Sequence, residues 1–128
     1  MLATRLLIVA AAFAAAFVAW ILWRRVPRVA RVEPGAIGTT GPAIVQFGTP
    51  TCAPCQRARP VLEQLARDTG VDYVDVDLFE RPDLASRYRI RTVPLVLVTG
   101  TDGAVLGRWA GIPPHDEVRR TAVEARPA

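Results

Sequence analysis

Phe47-Gly48-Thr49-Pro50-Thr51-Cys52-Ala53-Pro54-Cys55 is the stretch on which the reading of this chain turns. Before it, Ala43–Gly48 is a short apolar run suited to a buried strand. After it, Ala58, Val61, Leu62, Leu65 and Ala66 recur at helical spacing, so Cys52–Asp68 reads as a helix ending before Gly70. The two cysteines thus stand where a strand gives way to a helix. The first backbone N–H groups of a helix have no internal partner and carry partial positive charge, which stabilises a thiolate placed there. The i, i+3 spacing puts the second sulfur one turn further on, near enough to resolve a mixed disulfide formed by the first.

Further along, Asp72–Leu78 alternates polar and apolar residues as a strand does, and Pro82–Tyr88 reads as a short helix with proline at its start. Leu95–Thr99 is a run of β-formers, Asp102-Gly103 is a hairpin turn, Ala104–Trp109 returns, and Pro113–Ala125 closes as a helix. The order βαβαββα predicts an α/β domain over residues 43–126, a central mixed sheet of about four strands flanked by helices. Strands separated by helices are expected to pair in parallel, with the final hairpin adding an antiparallel edge.

The Cys-Ala-Pro-Cys segment, Pro60 eight residues after Cys52, and Thr92-Val93-Pro94 opening the next strand together resemble the thioredoxin family over about residues 43–125. The resemblance implies a thioredoxin-like fold and a thiol–disulfide oxidoreductase. In it, Cys52 is the exposed nucleophile and Cys55 the buried resolving thiol. Pro94 matches the family's cis-proline, with the Val93 backbone beside it placed to pair with an extended substrate. Gly111 resembles the glycine that leaves room on the docking surface, and Pro60 the proline that kinks the active-site helix. Pro54 between the cysteines resembles the reducing members. The implied partners are protein disulfide substrates and an upstream thiol reductant, with no cofactor. Gln46 departs from the pattern, because family members carry there a buried acid that helps deprotonate the resolving thiol. Thr51 and Gly48 replace aromatic residues, and the family's first strand and helix find no counterpart before residue 43.

Other uses of the cysteine pair fit less well. A structural disulfide across so short a loop constrains the unfolded chain little. Zinc needs about four ligands, and two Cys with His115 fall short. Covalent haem needs His directly after Cys55, where Gln56 stands. A soft-metal carrier does not call for Pro94. His115 reads as a solvated residue at a helix start, and Asp75 and Asp77 as the solvent side of a strand, with electrostatic tuning of the site as the other reading. Arg87, Arg89 and Arg91 form a basic cluster ahead of Pro94 that favours acidic partners if it acts at all.

The N-terminal end is of another kind. From Leu6 to Trp23 no residue is charged, and these eighteen positions span about 27 Å as a helix, close to a hydrocarbon core. The run is longer than a signal peptide's apolar region, and its Ala-x-Ala triplets lie inside it. Residues 1–25 are therefore expected to be an uncleaved single-pass anchor, with Trp20 and Trp23 near one interface. Residues 26–42, with three Pro and three Gly, read as a juxtamembrane linker.

The net charge of +4 is carried by this end: residues 1–40 hold five Arg against Glu33, while residues 41–128 hold eleven Arg and eleven acids. A neutral domain argues against nucleic acid. Four Arg following the span against one before it place the domain in the cytoplasm of a cell membrane, the extracytoplasmic side being the alternative. A monomer is expected. Two function classes stand: a protein-disulfide reductase working through Cys52 and Cys55, or a non-catalytic or redox-sensing docking module for a membrane partner.

Overall fold

The computed structural model describes residues 1–25 and 31–127. Helix α1 (Leu2–Arg25) contains no Gly or Pro and is built from Ala, Leu and other apolar residues. It is long and apolar enough to cross a membrane, and none of its span is buried. The remaining elements are α2 (Pro34–Ile37), β1 (Ala43–Gly48), α3 (Ala53–Thr69), β2 (Asp72–Asp77), α4 (Pro82–Arg87), β3 (Leu95–Thr99), β4 (Val105–Ala110) and α5 (His115–Ala125). From β1 onward the order is the expected βαβαββα.

The four strands form one mixed sheet in the order β2-β1-β3-β4. All six residues of β1 and all five of β3 are buried, as central strands covered on both faces must be. Val45, Phe47, Leu95 and Leu97 face one layer with Val32, Ile37, Leu84 and Tyr88. Ile44, Val96 and Val98 face the other, under Ala58, Leu62, Leu65 and Ala66 of α3 and Val118, Ala122 and Ala125 of α5. Val61, grouped by spacing with the α3 core residues, instead turns outward at 51% exposure.

The pairing of β1 with β2 is parallel, but β1 pairs with β3 antiparallel, against the expectation drawn from the intervening helix. Helix lengths account for this. The 17 residues of α3 run about 25 Å and carry the chain back to the far end of the sheet before β2 begins. The six residues of α4 cover only about 9 Å, less than a strand's length, so β3 enters from the end where β2 stopped.

The expected linker over 26–42 is also corrected in part. Residues 26–30 lie outside the described residues, but from Arg31 the chain is already packed on the domain. Arg31 bridges Ala104, the Val32 N–H donates to the Gly103 carbonyl at 2.9 Å, and Val32 and Ile37 are buried. The Glu33 N–H donates to the Tyr88 hydroxyl at 3.1 Å, tying the segment to the end of α4. Two isolated apolar residues among prolines and glycines show no period, which is why pattern reading passes over them.

Candidate active site

The sulfurs of Cys52 and Cys55 form a disulfide at the start of α3. A turn at Thr49-Pro50-Thr51 leads in, with the Cys52 N–H donating to the Thr49 carbonyl at 3.2 Å. Cys52 is the N-cap, in extended conformation, and its sulfur accepts from the Cys55 backbone N–H at 3.2 Å. A cap position needs an acceptor for unpaired N–H groups, and here sulfur fills it in place of the usual oxygen. Pro54 lies in the first turn, where a missing N–H costs nothing. Pro60 lies inside the continuous helix, about two and a half turns before Thr69, and Gly70, at φ 72°, closes it in the left-handed conformation. Cys52 is partly exposed, whereas Cys55 is 1% exposed.

Gly48, the last residue of β1, permits this packing. A Cβ there would lie 2.9 Å from Cys55 Sγ. In the antiparallel register Phe47 faces Leu95, so one step further sets Pro94 across from Gly48. The Val93–Pro94 bond is cis, Pro94 is buried and Val93 is half-buried. The Gly111 N–H donates to the Pro94 carbonyl at 2.8 Å, and a Cβ on Gly111 would meet nothing within 4 Å. The fold therefore brings Pro94, Val93 and Gly111 to the sheet end that carries the cysteines, with open space before Gly111. Beside them Ile112 is exposed, and an apolar groove runs between α3 and the start of α5 along Val61, Leu62 and Pro113.

Gln46 is fully buried beneath α3 with both ends of its amide engaged. It donates to the Cys55 carbonyl at 2.9 Å and accepts from the Tyr73 hydroxyl at 2.7 Å. Burial, with the Asp75 carboxylate as the next cause, pushes the Tyr73 phenol well above its ordinary range, so it remains a donor. The amide is a structural brace; it holds the first turn of α3 against β1 and has no titratable proton near neutral pH.

A cleft of about 270 Å³ opens beside Cys55, lined among others by Gly48, Gln56, Arg59, Asp75 and Asp77. Arg59 and Asp75 form an ion pair across it. Asp75 is thus engaged with the site's own helix and is not simply the wet side of a strand. Arg59 was invisible to motif reading, although its position four residues after Cys55 marks the same helix face. His115 is exposed on α5 next to Asp116 and lines the apolar groove, apart from the cysteines' cleft.

Comparison with known proteins bears on the family and the fold. The thioredoxin family model matches residues 36–123. The chain is 35% identical over 79 residues to thioredoxin C-2 of Corynebacterium nephridii, covering 60% of this chain and 72% of that one. It is 37% identical over 59 residues to the chloroplastic thioredoxin M4 of Arabidopsis thaliana, covering 44% of this chain and 31% of the relative. It therefore spans under a third of that plant relative's length. Among solved structures, a mutant thioredoxin from Halobacterium salinarum superposes with a TM-score of 0.64 at 24% identity, over 80% of this chain and 95% of that one. At that identity the likeness is one of fold.

Proposed function

The chain belongs to the thioredoxin family, and on that premise we propose that it is a membrane-tethered thiol–disulfide oxidoreductase that reduces partner disulfides through Cys52 and Cys55. The observation that carries this reading is the position of the two sulfurs: one capping a helix N-terminus and partly exposed, the other a turn behind and buried.

The chemistry follows from that placement. The helix tip favours the Cys52 thiolate, which attacks one sulfur of the substrate disulfide. The other substrate sulfur leaves as a thiolate, and a mixed disulfide remains on Cys52. Cys55, held within reach by the helical turn, then attacks Cys52 Sγ, closing the intramolecular bond and releasing the second substrate thiol. An upstream dithiol reductant returns the pair to its reduced state. Val93, Pro94 and Gly111 supply the surface on which an extended substrate segment lies, the space before Gly111 admitting its backbone. Pro54, in the first turn between the two sulfurs, belongs to the same rim. Helix α1 holds the domain at a membrane, with the arginines that follow the span favouring the cytoplasmic side.

Reduced protein is expected to reduce insulin and a synthetic disulfide, and Cys55→Ala to accumulate a covalent mixed disulfide on Cys52. If the native chain reduces neither and Cys55→Ala traps nothing, the catalytic reading is wrong. Labelling of Cys52 in intact cells with a membrane-impermeant thiol reagent tests the side: protection supports the cytoplasm, and labelling reverses the orientation.

A further inference from the structure

In the resolving step Cys55 must act as a thiolate although it is buried, and burial disfavours a thiolate. Gln46, its nearest buried polar neighbour, is committed to a carbonyl and a phenol. The charged and titratable groups around Cys55 come from two elements. Helix α3 contributes Cys52 and Arg59, with Glu63 a turn beyond; β2 contributes Asp75 and Asp77, with Tyr73, whose phenol bonds Gln46 and also meets the Arg59 guanidinium. Strand β1 offers only Gln46 and Gly48 there, and Val93 and Pro94 bring no charge.

Arg59 stands out among these. Its Nη2 pairs with Asp75, but its Nε is buried and, among the described residues, is the buried side-chain nitrogen or oxygen without a hydrogen-bond partner. Buried donors are nearly always paired, so an unpaired one asks for an acceptor absent from the oxidised state. Arg59 follows Cys55 by four residues, and a long helical side chain leans back over the turn N-terminal to it, here the turn of Cys55. Both residues line the same cleft, and reduction turns the Cys55 sulfur there from a weak disulfide acceptor into a thiol that can ionise to a strong one.

We propose that Arg59, braced by Asp75, stabilises the Cys55 thiolate and so drives the resolving step without a carboxylic base. The inference rests on the dithiol reading above. In that step the Cys55 thiol gives its proton to water in the cleft. The thiolate's electron pair forms the bond to Cys52 Sγ, the Cys52–substrate bond breaks, and the departing substrate thiolate takes a proton from solvent. The cysteine pair is oxidised and the substrate reduced by two electrons. Arg59 is unchanged; it lowers the energy of the anion. Asp75 holds the guanidinium in place and partly offsets its charge, so the two residues act on the thiolate in opposite senses.

The test uses the full chain in detergent micelles, carrying a preformed mixed disulfide between Cys52 and a chromogenic aromatic thiol. Release of that thiol is followed against pH. In parallel, Cys55 in a Cys52→Ala chain is titrated by its ultraviolet thiolate absorbance, which does not depend on turnover. Arg59→Met is expected to move both pH midpoints upward and to slow release at neutral pH roughly tenfold. Arg59→Lys, which keeps the charge, is expected to recover most of that loss. Asp75→Asn, whose amide oxygen still accepts from the guanidinium while the opposing charge is gone, is expected to move both midpoints downward. Unchanged midpoints in Arg59→Met, or a slower release with a raised midpoint in Asp75→Asn, overturn the assignment; the latter would make Asp75 the proton acceptor. Should Arg59→Met fail to fold, the sign of the Asp75→Asn shift still decides. No release from the native chain at any pH would instead defeat the dithiol reading itself.

Discussion

Helices α1 and α3 are both long, at 24 and 17 residues, yet they are patterned for different surroundings. The first is apolar around its whole circumference and buries nothing against the protein. The second is amphipathic, with Cys55, Ala58, Leu62, Leu65, Ala66 and Thr69 buried on one side and Arg57, Glu63 and Arg67 off that face. A helix apolar all round needs an apolar environment to supply what packing does not, whereas a striped helix is completed by the sheet beneath it. Caps differ accordingly. Helix α3 is closed by Cys52 at one end and Gly70 at the other, so its N-terminal cap is one of the two paired cysteines. The cysteine pair thus sits on a helix packed against the sheet, while none of the apolar span of α1 is buried by the domain.

The contrast can be broken most directly by deleting residues 2–25. The protein is expected to move wholly from the membrane fraction to the soluble fraction while disulfide reduction in solution stays within about twofold, because both core layers are built from residue 32 onward. Fractionation and insulin reduction measure the two halves of this expectation, and loss of folding would show that α1 is part of the domain.

A smaller effect sharpens it. Leu65→Ala, at a 1% exposed position, is expected to cost about 2–5 kcal/mol in denaturant unfolding of the domain. Leu7→Ala, at a 70% exposed position of α1, should change the same measurement by no more than about 0.5 kcal/mol. Equal effects would mean that the two helices share one core.

The smallest effect concerns the brace under α3. Tyr73 ionises less readily folded than unfolded, so above pH 10, where the unfolded phenol loses its proton, the unfolded state binds fewer protons than the native one. Stability contributed by Tyr73 is therefore complete below that pH and declines as pH rises further. Tyr73→Phe should flatten the alkaline limb of the stability curve and cost about 1 kcal/mol at neutral pH, since Gln46 loses its donor. An alkaline limb identical in both proteins would remove Tyr73 from this role.

Much of this architecture is readable from local pattern. Periods of two and 3.6, the Gly70 stop and the Asp102-Gly103 turn place every strand and helix from residue 43 onward within a residue or two, since each signal lies inside its own element. The antiparallel entry of β3 is not local. It depends on how far α4 can carry the chain compared with a strand's length, and both lengths must be compared in space. The segment 31–41 escapes for a similar reason, as Val32 and Ile37 are buried against the sheet and α4, and the segment is tied down at Gly103 and Tyr88, some fifty to seventy residues away.

The site divides along the same line. Cys52 and Cys55 are legible because a helix start and a one-turn spacing are properties of consecutive residues, and the apolar run Leu6–Trp23 shows by composition alone a helix long enough to cross a membrane. What surrounds the second sulfur was decided only by tertiary structure: the Gln46 amide turned to a carbonyl and a phenol, Gly48 yielding space, and Arg59 and Asp75 meeting across a cleft. Those groups come from three different elements, and the strength of an electrostatic or hydrogen-bonding contact depends on distance and burial, which separation along the chain does not reveal.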